Sequence, residues 1–344
     1  MYKLFRPVFF LFSPERIHHI IIFLMKVMRC TLLTGLFRRY FTVKDKRLQR
    51  ELFGLTFQSP VGLAAGFDKN AEVYNEMSAF GFGFIEIGTV TPLGQKGNPK
   101  PRCFRLPQDK AIINRMGFNN KGADAAANSL KKRKRKAGLI IGGNIGKNTA
   151  TDNENAANDY LQDFITLYDY VDYFVVNVSC PNVTDLRKLQ DKDNLTGILS
   201  GLIEQRRFQD VYKPILLKIS PDLTIEQVDE TLEIINKTGL DGIVATNTTT
   251  SREGLQTSAE IIEKIANGGL SGKPLTLRSL EIVRHIAEKT EGKLPIIGVG
   301  GIMTEQDAIN MLQAGASLVQ IYTGFIYEGP GFVKRINRKL LQNM

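Results

Sequence analysis

The stretch Asn177-Val178-Ser179-Cys180-Pro181-Asn182 sets a thiol between two carboxamides. Each Asn side chain offers one acceptor and two donors without charge, a set suited to a neutral, planar, amide-rich ring. A Cys between them can act as nucleophile or as general base. Pro181 biases Cys180 away from helical backbone. The hexapeptide taken alone fits a buried Cys at a strand end equally well.

Similar polar groups recur along the chain. They are Ala64 through Lys69, Gly88-Thr89, Asn144 through Asn148, Lys218 through Asp222, Thr246 through Thr249, Gly298 through Gly301, and Tyr322-Thr323-Gly324. Together with the Cys180 hexapeptide they supply amides, hydroxyls, glycine backbone, two lysines reachable from inside and one thiol. Asp68 and Asp222 are the only acids expected among them, which argues against a paired-carboxylate hydrolase and a carboxylate metal site. Lys218 can form a Schiff base or stabilise an anion. The loop Asn114-Arg115-Met116-Gly117-Phe118-Asn119-Asn120 adds further amides. Three histidines and three widely spaced cysteines offer neither a metal site nor a disulfide framework, and point to a reducing compartment.

Each group follows a short apolar run that reads as a buried parallel strand. The eight runs centre on Val61–Ala65, Phe84–Gly88, Leu139–Gly143, Tyr173–Val178, Ile215–Ile219, Gly242–Thr246, Pro295–Val299 and Leu318–Tyr322. Stretches long enough for a helix separate them. This order predicts an α/β fold, a (β/α)8 TIM barrel whose strand ends carry the chemistry. A doubly wound open sheet is the alternative. Glycine-rich backbone after the seventh and eighth strands suits a phosphate, so a phosphorylated cofactor and a small polar substrate are expected. Leu52 through Phe57 reads as a short hairpin.

Residues 1–43 form a separate N-terminal extension, and residues 44–344 the barrel. The extension holds two apolar clusters, around Phe9 and around Ile21, separated by Ser13-Pro14-Glu15, a helix start with Ser as N-cap. Neither cluster is long enough to span a bilayer, and no small-residue cleavage site follows. Two short amphipathic helices are expected, lying in a membrane interface or packed on the body. Of the net charge of +10, residues 1–43 contribute seven basic side chains against Glu15 alone, and Lys131 through Lys136 six more. The remainder is close to neutral, so no continuous nucleic-acid-binding surface is expected. The basic run reads as the exposed end of a barrel helix.

Four motifs in combination resemble the dihydroorotate dehydrogenase family. They are Gly62 through Lys69, Ile87 through Pro92, Ile113 through Asn119, and Gly269 through Leu275. The resemblance covers nearly the whole chain. With its N-terminal extension it points to class 2, the quinone-linked, membrane-associated enzymes. It implies FMN, oxidation of (S)-dihydroorotate to orotate in de novo pyrimidine biosynthesis, and re-oxidation of the flavin by a membrane quinone. It further implies peripheral attachment to the cytoplasmic face of the cell membrane through residues 1–43. Carried over by position, the cofactor residues are Ala65, Gly66, Lys69, Thr89, Asn144, Asn177, Lys218, Thr246, Ser271, Gly272, Gly301, Tyr322 and Thr323. The substrate residues are Lys69, Asn114, Arg115, Met116, Gly117, Phe118, Asn177, Asn182, Asn247 and Thr248. Cys180 takes the place of the catalytic base, where class 2 enzymes carry Ser and the soluble class 1 enzymes carry Cys. His18 and Arg105 are candidates to bond the quinone carbonyls.

Overall fold

The computed structural model describes residues 2–29, 31–179 and 192–344; Cys180 and Asn182 lie outside the described residues. Eight parallel strands close into a barrel: β1 (Val61–Leu63), β2 (Phe84–Val90), β3 (Ile140–Ile145), β4 (Tyr173–Asn177), β5 (Ile215–Ile219), β6 (Gly242–Ala245), β7 (Ile296–Val299) and β8 (Leu318–Ile321). Each pairs with its neighbours in sequence, and β8 closes on β1. The helical segments between them, among them Ala156–Leu167, Ile225–Thr238 and Thr276–Lys289, wrap the outside. The expected barrel is the one observed, with strand ends displaced by a residue or two.

The strands read as apolar runs because both faces are covered. One set of side chains packs under the helices. The other fills the barrel: Phe84, Tyr173, Val175, Leu216, Val244, Ile297 and Leu318 form its lower layer. Two inner positions must be glycine, since a Cβ at Gly62 would strike the Phe84 ring and one at Gly142 the Tyr173 ring. The hairpin Arg50–Leu52 with Leu55–Phe57 plugs the bottom, where Phe57 meets Phe84 edge-on at 5.3 Å. With a side-chain period of two, the next inward positions up from Phe84, Val175 and Leu216 are polar. Glu86, Asn177 and Lys218 thus rise toward the upper mouth.

The extension holds three helices rather than two: α1 (Tyr2–Phe10), α2 (Pro14–Met28) and α3 (Leu33–Phe41). The third lacks a continuous apolar run; Phe37 and Phe41 recur one turn apart and pack on Phe80. Ser13 sits at the N-cap of α2 but makes no side-chain cap bond. Glu15 instead pairs with Arg102 at 2.6 Å and Lys100 at 3.4 Å, tying α2 to the barrel loops. The basic run also differs from a freely solvated helix end. Arg133 donates to Glu76 at 2.6 Å and lies over Tyr74, and Arg135 reaches Asp172 at 2.5 Å. Two of its six charges therefore brace the helix layer. Beside the upper mouth, Cys103–Leu106, Ala111–Asn114 and Gly269–Gly272 form an antiparallel sheet in segments that the sequence leaves as loops.

Candidate functional site

Above the apolar layer, the inward side chains form a hydrogen-bonded floor. Glu86 on β2 is fully buried and accepts from Asn144 Nδ2 at 2.8 Å and from Gln320 Nε2 at 2.6 Å. Lys218 Nζ stands 4.0 Å from the same carboxylate. Thr89 Oγ1 donates to Asn144 Oδ1 at 2.6 Å. Asn177 Nδ2 donates to Thr89 Oγ1 at 3.0 Å, and Asn247 Nδ2 donates to Asn177 Oδ1 at 3.2 Å. Neither Glu86 nor Gln320 is among the residues expected from sequence, and Glu86 corrects the expectation that Asp68 and Asp222 are the only acids nearby. The available signal was a Glu in an otherwise apolar strand.

Asp68 and Asp222 are structural. The Asp68 carboxylate accepts the backbone N–H groups of Glu72 and Val73, at 2.7 and 2.8 Å, and burial pushes its pKa up to about 6. Asp222 accepts from the hydroxyls of Thr249 and Thr250. Lys147 is equally committed, its ammonium donating to Thr151 O at 2.6 Å.

A cavity of about 500 Å³ lies on this floor. Ala65, Gly66, Lys69, Thr89, Asn177, Lys218, Thr246, Ser271, Gly272, Gly301, Tyr322 and Thr323 line it. Asn144 stands one layer behind, reaching it through Thr89 and Asn177. Asn114, Met116, Gly117, Phe118, Asn247 and Thr248 line it as well. Arg115 does not. Its guanidinium donates to the carbonyls of Ile265, Asn267 and Pro101 and stacks on Phe104, so those acceptors draw it out of the cavity. Lys69 donates to Asn119 Oδ1. Ser271 Oγ and Thr323 Oγ1 share a bond of 2.8 Å. Among the described residues no cluster of His, Cys, Asp or Glu could hold a metal ion.

The same cavity continues between the N-terminal helices, where Phe9, Ile17, Ile21, Met25, Met28 and Phe37 line it. At the junction of its two halves stand His18, Cys103 and Arg105. His18 meets Phe67 edge-on at 4.9 Å; burial, and next the Lys69 charge, lower its pKa to about 4. Burial pushes the Cys103 thiol up to about 11. The Arg105 guanidinium donates to Phe12 O at 2.7 Å and lies over the Phe10 ring.

Residues 47–344 match the family model described as Dihydroorotate dehydrogenase. The chain belongs to that family. Among curated dihydroorotate dehydrogenases (quinone), the protein of Christiangramia forsetii is 56% identical over 344 residues, covering 99% of each chain. That of Gloeobacter violaceus is 48% identical, covering 98% of this chain and 92% of its own. The crystal structure of the Eimeria tenella dehydrogenase in complex with ferulenol superposes with a TM-score of 0.87 at 37% identity, over 96% of this chain and 91% of that one. The family and its quinone-linked class are those that the motifs imply.

Proposed function

We propose that this protein oxidises (S)-dihydroorotate to orotate with FMN as its flavin, and delivers the electrons to a quinone that enters from a membrane through residues 1–43. The activity is that of the quinone-linked dihydroorotate dehydrogenases of pyrimidine biosynthesis, to which the chain is similar over its full length. One observation carries the finer reading. A single cavity is amide-rich at the strand ends and apolar between α1, α2 and α3. A charged substrate and a lipid-soluble acceptor need two such chemically opposite halves.

The residues present fit FMN. Gly300 and Gly301 line the cavity with φ of 112° and 73°, and a Cβ at Gly301 would overlap the Thr276 backbone, so only glycine lets that helix start pack against the loop where a phosphate would lie. Lys218, 5% exposed, presents a fixed ammonium to the same space. FMN, when bound, supplies the hydride acceptor for substrate C6 and the electrons for the quinone. Lys218 stabilises negative charge there. Lys69 offers its cation to the substrate carboxylate, and Asn114, Asn177 and Asn247 pair with the ring edges. Cys180 is the proposed base that takes the C5 proton.

Attachment to the cytoplasmic membrane face rests on exposed apolar side chains. Leu4, Phe5, Leu11, Phe23, Leu24, Leu32 and Leu36, all in the extension, are each more than half exposed. No single helix among the described residues is long and apolar enough to cross a membrane. Surface insertion of α1–α3 therefore fits better than a span.

Absorbance spectroscopy tests the reading. The purified protein should be yellow, bleach anaerobically with dihydroorotate, and recover its colour on adding a quinone. A colourless protein, or a flavin that dihydroorotate does not reduce, sinks it.

A further inference from the structure

We propose that Glu86 is the positioning residue that sets which way the asparagines of the site point. A carboxylate only accepts hydrogen bonds, whereas a carboxamide has one donor end and one acceptor end. Fixing one end of an amide therefore fixes the other. Glu86 Oε1 accepts from Asn144 Nδ2 at 2.8 Å, which turns Asn144 Oδ1 toward Thr89 and Asn177. Asn177 must then present its Nδ2, at 3.3 Å from Asn144 Oδ1 and 3.0 Å from Thr89 Oγ1. Its own Oδ1 is left for Asn247 Nδ2 at 3.2 Å. Asn247 in turn accepts the Thr248 N–H through Oδ1 at 2.8 Å. Three amides on β3, on β4 and after β6 thus run in one direction, and the run begins at Glu86.

A fully buried carboxylate is costly, and a glutamine of nearly the same shape would be cheaper to bury. A glutamine here could meet Asn144 in either of two orientations, and a reversed Asn144 turns its Nδ2 on Asn177 Nδ2 and breaks the run, because the Thr248 N–H holds Asn247 Oδ1 at the other end. The carboxylate admits only one. Its second oxygen is held by Gln320 Nε2 at 2.6 Å, and Lys218 at 4.0 Å supplies the countercharge. The proposal rests on the functional reading in one respect, that Asn177 and Asn247 face the substrate ring. Glu86 has no such contact and acts through Asn144.

The test compares Glu86→Gln with Glu86→Gln/Asn144→Asp, both as flavin-loaded full chains. The double variant moves the acceptor-only group to position 144 and keeps the direction of the run. Orotate affinity is read from its perturbation of the flavin spectrum, alongside flavin content. Glu86→Gln should keep its flavin and bind orotate at least tenfold more weakly. The double variant should return to within threefold of the native protein. Native-like orotate affinity in Glu86→Gln, or no recovery in the double variant, overturns the proposal. If Glu86→Gln fails to fold or to hold flavin, the double variant alone decides: recovery of flavin and orotate binding supports the proposal, and their absence overturns it. A native protein that neither holds flavin nor bleaches with dihydroorotate defeats the functional reading instead, before either variant is made.

Discussion

Two side chains carry predictions at the scale of single residues. Cys180 follows Ser179, which is fully buried against Asn247 on the floor of the site. If its thiolate takes the C5 proton, flavin reduction should rise with pH toward the ordinary thiol pKa of about 8.5. Cys180→Ala should slow that reduction by about 10²–10⁴-fold, the range for loss of a general base, while the flavin stays bound. Stopped-flow absorbance reads both; unchanged reduction in the variant removes Cys180 from the chemistry. His18 makes a different prediction. Its pKa falls from 6.5 in the unfolded chain to about 4 in the folded protein. Between these values the unfolded chain binds more protons there, so this group makes stability rise with pH across the window and leaves it level above. Asp68, pushed up to about 6, acts in the opposite sense below that pH. The comparison must therefore set His18→Gln against the native protein at each pH. Denaturant unfolding should show the variant losing less stability than the native protein from pH 6.5 to 4.5, by on the order of 2 kcal/mol. Parallel curves would show that His18 does not titrate this way.

At the scale of elements, the extension and the barrel divide the work. The barrel strands hold the polar half of the cavity, and α1, α2 and α3 supply the apolar half. Removing residues 1–43 should leave the flavin reducible by dihydroorotate, because that half-reaction needs only the strand ends. Re-oxidation by a long-chain quinone should slow at least tenfold. Both half-reactions must be timed on a truncated protein that still holds flavin. Matching quinone kinetics would reduce the extension to an anchor or a packing element. The same elements show how far local pattern reaches. Tyr173–Asn177 is legible as a strand because an apolar run must be covered on both faces. Helix α3 is not, because its apolar positions are spaced by turns and have meaning only against Phe80.

For the whole molecule, the apolar surface is concentrated on one segment, and so are seven basic side chains. Apolar insertion and attraction to anionic headgroups then act at the same place. Leu11→Ser, Phe23→Ser and Leu36→Ser together remove three exposed side chains, each worth about 1.5–3 kcal/mol when buried. Flotation with anionic vesicles should show the bound fraction falling at least tenfold, with flavin reduction by dihydroorotate intact. Undiminished flotation would place the membrane contact elsewhere.

The sequence by itself determined the barrel, the polar strand ends and the family, because strand period, apolar runs and contiguous motifs are local properties. It also placed most of the residues that line the cavity, since many of them lie at or just after the end of a barrel strand. The tertiary structure decided the rest. Glu86 is an anomaly in an apolar run until barrel closure puts it between Asn144, Gln320 and Lys218, which come from three other strands. Arg115 stands in the right motif, yet carbonyls some 150 positions later draw its side chain away. The joining of the polar and apolar halves into one cavity depends on how residues 2–37 dock over strand ends far along the chain. Such contacts arise from packing between distant segments, and no local pattern of residues encodes them.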